Sequence, residues 1–271
     1  MLWLITLAIA LTYINYPIVK NILIKYQLVA TNYAGKQIPL GYGILLVVNL
    51  IILLSVGINL RVYSTQVAGA LLYLVIVAGG LGLIDDYYGE QDQSSGLSGH
   101  VGEFISNSRV TTGLLKAVFI SLIVFLLVTE VVDSLVGIII NFLLVVLMTN
   151  FINLLDLRPG RALKGFIIVS APLLLITTSL FDRLIIPLLI MIMMMLPVDL
   201  KAEAMLGDVG ANLLGSFLGF SLVFSIAESY KVIFVLLLIG VHLYTEKFSL
   251  TELIAQNEIL NKLDQFGRDK D

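Results

Sequence analysis

The sequence lacks cysteine entirely and holds only two histidines and one tryptophan among its 271 residues. The absence of cysteine excludes disulfide bonds and thiol chemistry. His100 and His242 do not form a zinc-ligand pattern. The chain also has no Walker-type glycine-rich loop, no Ser-His-Asp order, and no alternation of basic and aromatic residues typical of nucleic-acid binding. We therefore expect no nucleic-acid partner.

Charge is scarce as well, and long apolar runs take its place. Only 13% of the residues are charged while 59% are hydrophobic, and the mean hydropathy is +1.01. Apolar runs of the roughly 20 residues that a membrane-spanning helix needs recur from one end of the chain to the other. The sequence thus predicts an all-α protein, a polytopic bundle of transmembrane helices.

About nine spans fit the alternation of apolar runs and breaks. They are expected near residues 2–24, 41–60, 66–84, 114–130, 135–153, 165–181, 184–199, 209–227 and 232–246. Residues 181–183, Phe-Asp-Arg, are expected to separate the sixth span from the seventh.

The positions of Lys and Arg predict the orientation, because cytoplasmic loops carry an excess of both. Of the 16 Lys and Arg residues, only Arg61, Arg183 and Lys231 follow even-numbered spans. The other 13 lie at or near ends that follow odd-numbered spans. This distribution places the N-terminus outside the cell and the C-terminus in the cytoplasm.

Two cytoplasmic segments are long enough to have a structure of their own. Residues 87–113 are rich in Gly, Ser and Gln and predict a loop. A tail of residues 247–271 follows the membrane domain of residues 1–246, and its Ser249 and Glu252 have capping-box spacing. One apolar stripe in the tail is formed by Leu250, Leu253, Ile254, Leu260 and Leu263. We expect an amphipathic helix that lies on the membrane or against the loops.

Four polar patches interrupt the apolar runs, and all of them fall on the predicted cytoplasmic side. They are the loop around Lys36, the pair Asp85-Asp86, the group Asn150, Asn153 and Asp156, and Asp208. An acidic residue at the edge of a membrane span is costly unless it holds a cation or a partner. Their common side therefore predicts a metal-dependent active site at the membrane surface.

The acidic patches also have simpler interpretations. Asp85 and Asp86 suit a Mg²⁺ ligand and a base, or a group that positions a lipid phosphate, but also a solvated helix end. Asp208 lies between Gly207 and Gly210, which leave room for a bulky ligand to approach, but it also suits a favourable negative charge in the first turn of a helix.

The remaining cytoplasmic patch combines amides, a carboxylate and nearby cations. Asn150, Asn153 and Asp156 are spaced three apart, which places them on about a third of the helix circumference. Such a stripe suits hydrogen bonds to a nucleobase or ribose, water-mediated metal binding, or contacts between helices. The cations that follow are Arg158, Arg161 and Lys164. They suit a diphosphate substrate or ordinary anchoring at the cytoplasmic side.

The order, spacing and sidedness of these motifs resemble those of the polyprenyl-phosphate N-acetylhexosamine-1-phosphate transferase superfamily, which includes the phospho-N-acetylmuramoyl-pentapeptide transferases. The matching segments are Gly35-Lys36-Gln37-Ile38-Pro39 in the first cytoplasmic loop, Asp85-Asp86 after span three, Asn150 to Asp156 after span five, and Gly207-Asp208 before span eight. The resemblance covers roughly residues 1–246.

This resemblance implies transfer of a phospho-sugar from a UDP-sugar to polyprenyl (undecaprenyl) phosphate, with Mg²⁺ as cofactor and UMP as product. The implied place is the cytoplasmic face of a bacterial cell membrane, where cell-envelope glycans are made. By position, Asp208 is the implied principal Mg²⁺ ligand, and Asp85 and Asp86 lie at the metal and the lipid phosphate. The implied catalytic residues are Asp85, Asp86 and Asp156. The implied substrate-binding residues are Lys36, Lys116, Asn150, Asn153, Arg158 and Arg161.

The chain also departs from the family pattern. Leu157 stands where the family usually has Gly, and Pro159 stands where many members have a further Asp. The His-rich motif of the last cytoplasmic loop is reduced to His242, and a tenth span is missing. We hypothesise that Arg158 and Arg161 replace lost diphosphate contacts.

Three functions stay open at this point: a transferase, a catalytically weakened homologue that binds the lipid carrier or acts as a scaffold, and a cation-coupled transporter. A transporter places its acidic residues near the bilayer midplane on broken helices. The carboxylates here lie at span ends, so we rank transport last and prefer the transferase. The sequence leaves the choice between a monomer and a homodimer open.

Overall fold

The computed structural model describes residues 1–32, 35–89 and 112–268. Most of the loop predicted at 87–113, including His100 and Arg109, lies outside the described residues, as do residues 269–271 of the tail.

Within those ranges the chain folds into eleven helices and one short β-hairpin. The helices are α1 Leu2–Lys25, α2 Ile44–Asn59, α3 Thr65–Tyr88, α4 Thr112–Thr129, α5 Leu135–Leu155, α6 Arg161–Leu173, α7 Ser179–Leu200, α8 Gly207–Val223, α9 Glu228–Thr245, α10 Leu250–Gln256 and α11 Glu258–Gln265. The strands are β1 Val29–Thr31 and β2 Gln37–Pro39. Helices α1 to α9 follow the order of the predicted spans, so the prediction of an all-α bundle is confirmed.

Six of the described helices are long and apolar enough to cross a membrane: α1, α3, α4, α5, α7 and α9. Helices α2 and α8 are also apolar but have only 16 and 17 residues. The outer faces of the bundle expose large apolar side chains, for example Leu236 and Leu237 on α9. Such a surface is unfavourable in water and favourable in lipid. The fold is that of a multi-pass helical membrane protein.

The break between the sixth and seventh helices is not where the sequence predicted it. Helix α6 ends at Leu173 and α7 begins at Ser179, so residues 181–183 lie inside the first turns of α7. Thr178, with an extended backbone at φ −82° and ψ 160°, precedes the helix. The carboxylate of Asp182 is favourable near a helix N-terminus, where the helix dipole is positive. The prediction was wrong because these charges indicate a helix start and not a loop.

Helix α8 is the centre of the bundle, because every residue from Val209 to Val223 is buried. Glycines let neighbouring helices approach it closely. A Cβ atom at Gly82 of α3 would lie 2.5 Å from Cα of Val209, and one at Gly215 would lie 2.5 Å from Cα of Thr149 in α5. Backbone approach at small residues is typical of helix packing in membranes, where burial of apolar surface drives association only weakly.

The connection between α1 and α2 contains a β-hairpin where the sequence predicted only a loop around Lys36. In the hairpin, β1 and β2 are antiparallel, with Val29 opposite Pro39. The hairpin binds the segment that leads into α8. The backbone N–H of Met205 donates to the carbonyl oxygen of Pro39 at 2.8 Å. The backbone N–H of Tyr42 donates to the carbonyl oxygen of Met205 at 2.9 Å. These bonds fix the hairpin beside the N-terminus of α8.

The tail forms two short helices and not the single amphipathic helix that was predicted. Asn257 separates them, since its backbone is extended at φ −94° and ψ 117°. Its Oδ1 accepts hydrogen bonds from the backbone N–H groups of Ile259 and Leu260 and so begins α11 as an N-cap. The predicted capping role of Ser249 is present, because its Oγ accepts the N–H of Glu252 at 3.3 Å.

The contact between α3 and α8 predicts a difference between two nearby glycines. Gly82→Ala places a methyl group against the backbone of Val209, so we expect the free energy of unfolding to fall by about 1–3 kcal/mol. Gly80→Ala is the matched control, because nothing lies within 4 Å of a Cβ atom at Gly80. It should leave stability unchanged or raise it by up to about 1 kcal/mol through helix propensity. Thermal unfolding in detergent micelles measures both, and equal midpoints would contradict this packing.

Candidate functional site

A cleft of about 300 Å³ opens at the end of the bundle where α3, α5 and α7 end and α8 begins. Four carboxylates from separate segments line it: Asp86, Asp156, Asp199 and Asp208. Arg158 adds a positive charge and Asn32, next to the hairpin, adds an amide. Acidic groups that are far apart in the sequence therefore meet at one end of the bundle.

Asp86 holds the N-terminus of α8. Its Oδ1 accepts the backbone N–H of Asp208 at 2.8 Å, and its Oδ2 accepts that of Val209 at 3.2 Å. Leu206, the residue that precedes α8, offers no side-chain cap, so Asp86 satisfies amides that a helix start leaves unpaired. Gly207 has φ +73°, and a Cβ atom there would lie 2.5 Å from Oδ2 of Asp86. A glycine is required at that position.

Lys116, in the second turn of α4, joins two further carboxylates. Its Nζ lies 2.5 Å from Oδ2 of Asp85 and also contacts Oδ2 of Asp208. The carboxyl groups of Asp85 and Asp208 are themselves within hydrogen-bonding distance of each other. Carboxylates this close repel each other without a cation, so Lys116 is their counter-ion. The helix cap of α8 is thus Asp86, while the carboxylate of Asp208 is directed to Lys116.

Asp156 follows directly after α5 and is half-buried in the cleft. Burial raises the pKa of its carboxyl group well above the ordinary value, and the negative charges of Asp199, Asp208 and Asp86 raise it further. A hydrogen bond from the backbone of Gly207 opposes this rise. The carboxyl group of Asp156 therefore keeps its proton to a higher pH than a solvated aspartate does.

Asp199, a buried carboxylate with 4% of its surface exposed, was not among the site residues predicted from the sequence. It lies at the end of α7, and its Oδ2 accepts the backbone N–H of Gly160 at 2.9 Å. This bond fixes the loop between α5 and α6 to α7. The sequence did contain a signal for Asp199. It is an acidic residue at the predicted cytoplasmic end of the seventh span, as the other acidic patches are at the ends of theirs.

Five of the six predicted substrate-binding residues do not line the cleft: Lys36, Lys116, Asn150, Asn153 and Arg161. Lys36 is exposed in the turn of the hairpin. Asn150 and Asn153 lie on α5, and Oδ1 of Asn153 is buried without a hydrogen-bond partner among the described residues. Of the two arginines, Arg158 lines the cleft, whereas Arg161 is 5% exposed and bonded to the tail.

The cleft offers carboxylate oxygens, the donors that Mg²⁺ prefers. Within residues 1–32, 35–89 and 112–268, no three Asp, Glu or His side chains are grouped to hold a metal ion by themselves. The pair Asp85 and Asp208 nevertheless fits the usual Mg²⁺ arrangement, in which one or two carboxylates and the phosphates of a substrate share the ion. The donor set fits Mg²⁺ bound together with a phosphate-bearing ligand.

Comparison of the chain with protein-family models and with curated proteins found no match.

The capping role of Asp86 predicts a graded effect of two substitutions. Asp86→Ala removes both acceptor oxygens, and we expect the free energy of unfolding to fall by about 1–2 kcal/mol. Asp86→Asn keeps one acceptor oxygen and should lose less. Thermal unfolding of the two variants beside the wild type measures the order. A stability of Asp86→Ala equal to that of the wild type would contradict the assignment of Asp86 as the cap of α8.

Proposed function

We propose that this chain is a Mg²⁺-dependent membrane transferase that moves a phospho-sugar from a UDP-sugar to polyprenyl phosphate and releases UMP. The observation that carries the proposal is the meeting of Asp86, Asp156, Asp199 and Asp208 in one cleft, with Asp85 joined to Asp208 through Lys116. The proposed setting is a bacterial cytoplasmic membrane crossed by nine spans, with the cleft facing the cytoplasm.

The position of the carboxylates along the helices supports a transferase over a transporter. Asp85 and Asp86 lie in the last turn of α3, and Asp208 lies in the first turn of α8. A site at helix ends is reached by a water-soluble nucleotide-sugar from one side and by a lipid from within the membrane. Transport sites instead lie near the middle of the spans.

The proposed reaction exchanges one phosphate bond for another. An oxygen of the acceptor lipid phosphate attacks the sugar-bearing phosphorus of the UDP-sugar, and the bond from that phosphorus to the bridging oxygen breaks. The electron pair leaves with UMP. A Mg²⁺ ion held by Asp208 and Asp85 would neutralise the diphosphate and the leaving phosphate.

The protein groups have separate roles in this proposal. Asp86 positions Asp208 by binding its backbone N–H. Lys116 keeps a positive charge beside the carboxylate pair and would contact a phosphate oxygen. Arg158 lies in the cleft wall, and a guanidinium group matches the geometry of a phosphate. Asp156 lines the cleft, and its carboxylate would take a proton from the acceptor phosphate.

One observation favours the second candidate, a weakened homologue that binds the lipid carrier or acts as a scaffold. The ammonium group of Lys116 already offsets one of the two negative charges of Asp85 and Asp208, so the pair has a counter-ion without a metal ion. The proposal of a transferase requires that this pair also accept Mg²⁺ when the nucleotide-sugar is present.

Release of UMP tests the proposal directly. Purified protein is incubated with undecaprenyl phosphate, Mg²⁺ and a panel of UDP-sugars, and we expect UMP from at least one donor and none after EDTA. Asp208→Asn should lower the rate by about 100-fold or more, because it removes a proposed metal ligand.

Asp133→Asn is the matched control for this assay. Asp133 is exposed in the turn between α4 and α5, at the opposite end of the bundle, so its substitution should leave the rate unchanged. No UMP from any donor, in protein that still binds undecaprenyl phosphate, would reject the transferase and favour the scaffold.

A further inference from the structure

The tail is bound to the bundle by a pair of nearly buried charges. Arg161, at the start of α6, donates from Nε and Nη2 to the two carboxylate oxygens of Asp264 in α11, at 2.8 and 2.9 Å. Its Nη1 donates to Oγ1 of Thr251 in α10 at 2.9 Å. One guanidinium group therefore holds both tail helices. The exposed fractions of the Arg161 and Asp264 side chains are only 6% and 9%, so salt screens this bidentate pair weakly.

Lys164, one turn further along α6, binds the end of α11. Its Nζ donates to the backbone carbonyl oxygens of Leu263, Asp264 and Phe266. These carbonyls lie where a helix leaves its acceptors unpaired, and a cation is favourable there. Lys164 thus holds the C-terminal end of the tail helix in place.

Arg268 connects this network with the wall of the cleft. Its Nη2 donates to Oδ1 of Asp264 at 2.7 Å, and its Nε donates to the carbonyl oxygen of Pro159 at 2.8 Å. Pro159 and Arg158 both line the cleft. The tail therefore contacts the same loop that presents the cleft arginine.

The loop of residues 157–160 is held from two sides. Asp199 of α7 accepts the N–H of Gly160, and Arg268 of the tail binds the carbonyl of Pro159.

Loss of Asp264 would leave the charge of Arg161 buried without a partner, which is strongly unfavourable. Burial alone would raise the pKa of Asp264, but its bonds with Arg161 and Arg268 lower it below the ordinary value. The carboxyl group of Asp264 therefore stays ionised at neutral pH.

We propose that Asp264 and Arg268 are positioning residues of the cleft: the docked tail fixes residues 157–160 and thereby sets where Arg158 meets the phosphates of the donor. This role rests on the proposed function, because the donor is the UDP-sugar of the transferase reaction. The tail residues themselves act only through the loop.

Hydrogen exchange of the full-length protein in detergent micelles tests the coupling without any need for activity. Asp264→Asn and Arg268→Met should raise the exchange of backbone amides in residues 157–164 by on the order of 10-fold, since the loop loses its support on the tail side. The matched control is Lys262→Met on α11. Lys262 pairs with Glu258 at the surface, where the two side chains are 75% and 81% exposed, so the tail loses a charge while the network stays intact.

A kinetic measurement separates positioning from general loss of structure. In the UMP assay, Arg268→Met should raise KM for the UDP-sugar by on the order of 10-fold and change kcat less, because donor binding depends on Arg158. Lys262→Met should match the wild type. Faster exchange confined to residues 250–266, with the loop unchanged, would overturn the positioning role even if UMP is released. If the wild type releases no UMP, the proposed function fails, and the exchange data still decide whether the tail holds the loop.

Discussion

The first turn of α8 is largely buried, since Gly207, Val209 and Gly210 are buried, and its backbone amides need acceptors. Asp86 supplies them through both carboxylate oxygens. Because Asp86 lies in the last turn of α3, the cap joins the C-terminal end of α3 to the N-terminus of α8. The same contact brings Asp85 beside Asp208, and the ammonium group of Lys116 binds both carboxylates. The place of the cleft thus follows from the requirement that a buried helix start be hydrogen-bonded.

Close approach at glycines makes this geometry possible. At Gly43 a Cβ atom would lie 2.2 Å from Cα of Gly210, which brings the start of α2 against α8. Gly207 leaves room for the carboxylate of Asp86. The hairpin then covers the same corner, since Pro39 accepts the N–H of Met205. Packing in the centre of the bundle therefore depends on the absence of side chains at a few positions, while polar bonds concentrate at its end.

The sequence predicts the order of the helices well, because apolar runs report burial in lipid directly. It also places Asp86, Asp156 and Asp208 at one end of the bundle, because the distribution of Lys and Arg indicates which span ends lie on the same side. The sequence cannot show which distant residues bond to each other in the fold. The cap made by Asp86 spans 122 residues, and the pair of Arg161 with Asp264 spans 103. The helix start at Ser179 was missed because the charges of residues 181–183 indicated a loop, although an acidic residue such as Asp182 also suits the first turn of a helix. The hairpin near Lys36 was missed because it depends on backbone hydrogen bonds that hydropathy does not register.

The distribution of charge around the cleft gives the physical basis for a divalent cation in the proposed reaction. Asp86, Asp156, Asp199 and Asp208 line it together with the cation Arg158, and Lys116 bonds Asp208 to a further carboxylate, Asp85. Arg161 and Lys164, which the sequence offered as further cations, bind the tail instead. A diphosphate donor would add negative charge to a site that already has an excess of it. Repulsion between like charges at short range in a poorly screened cleft would then oppose donor binding. The proposed transferase therefore needs a positive charge from outside the chain, whereas a homologue that binds no diphosphate donor does not.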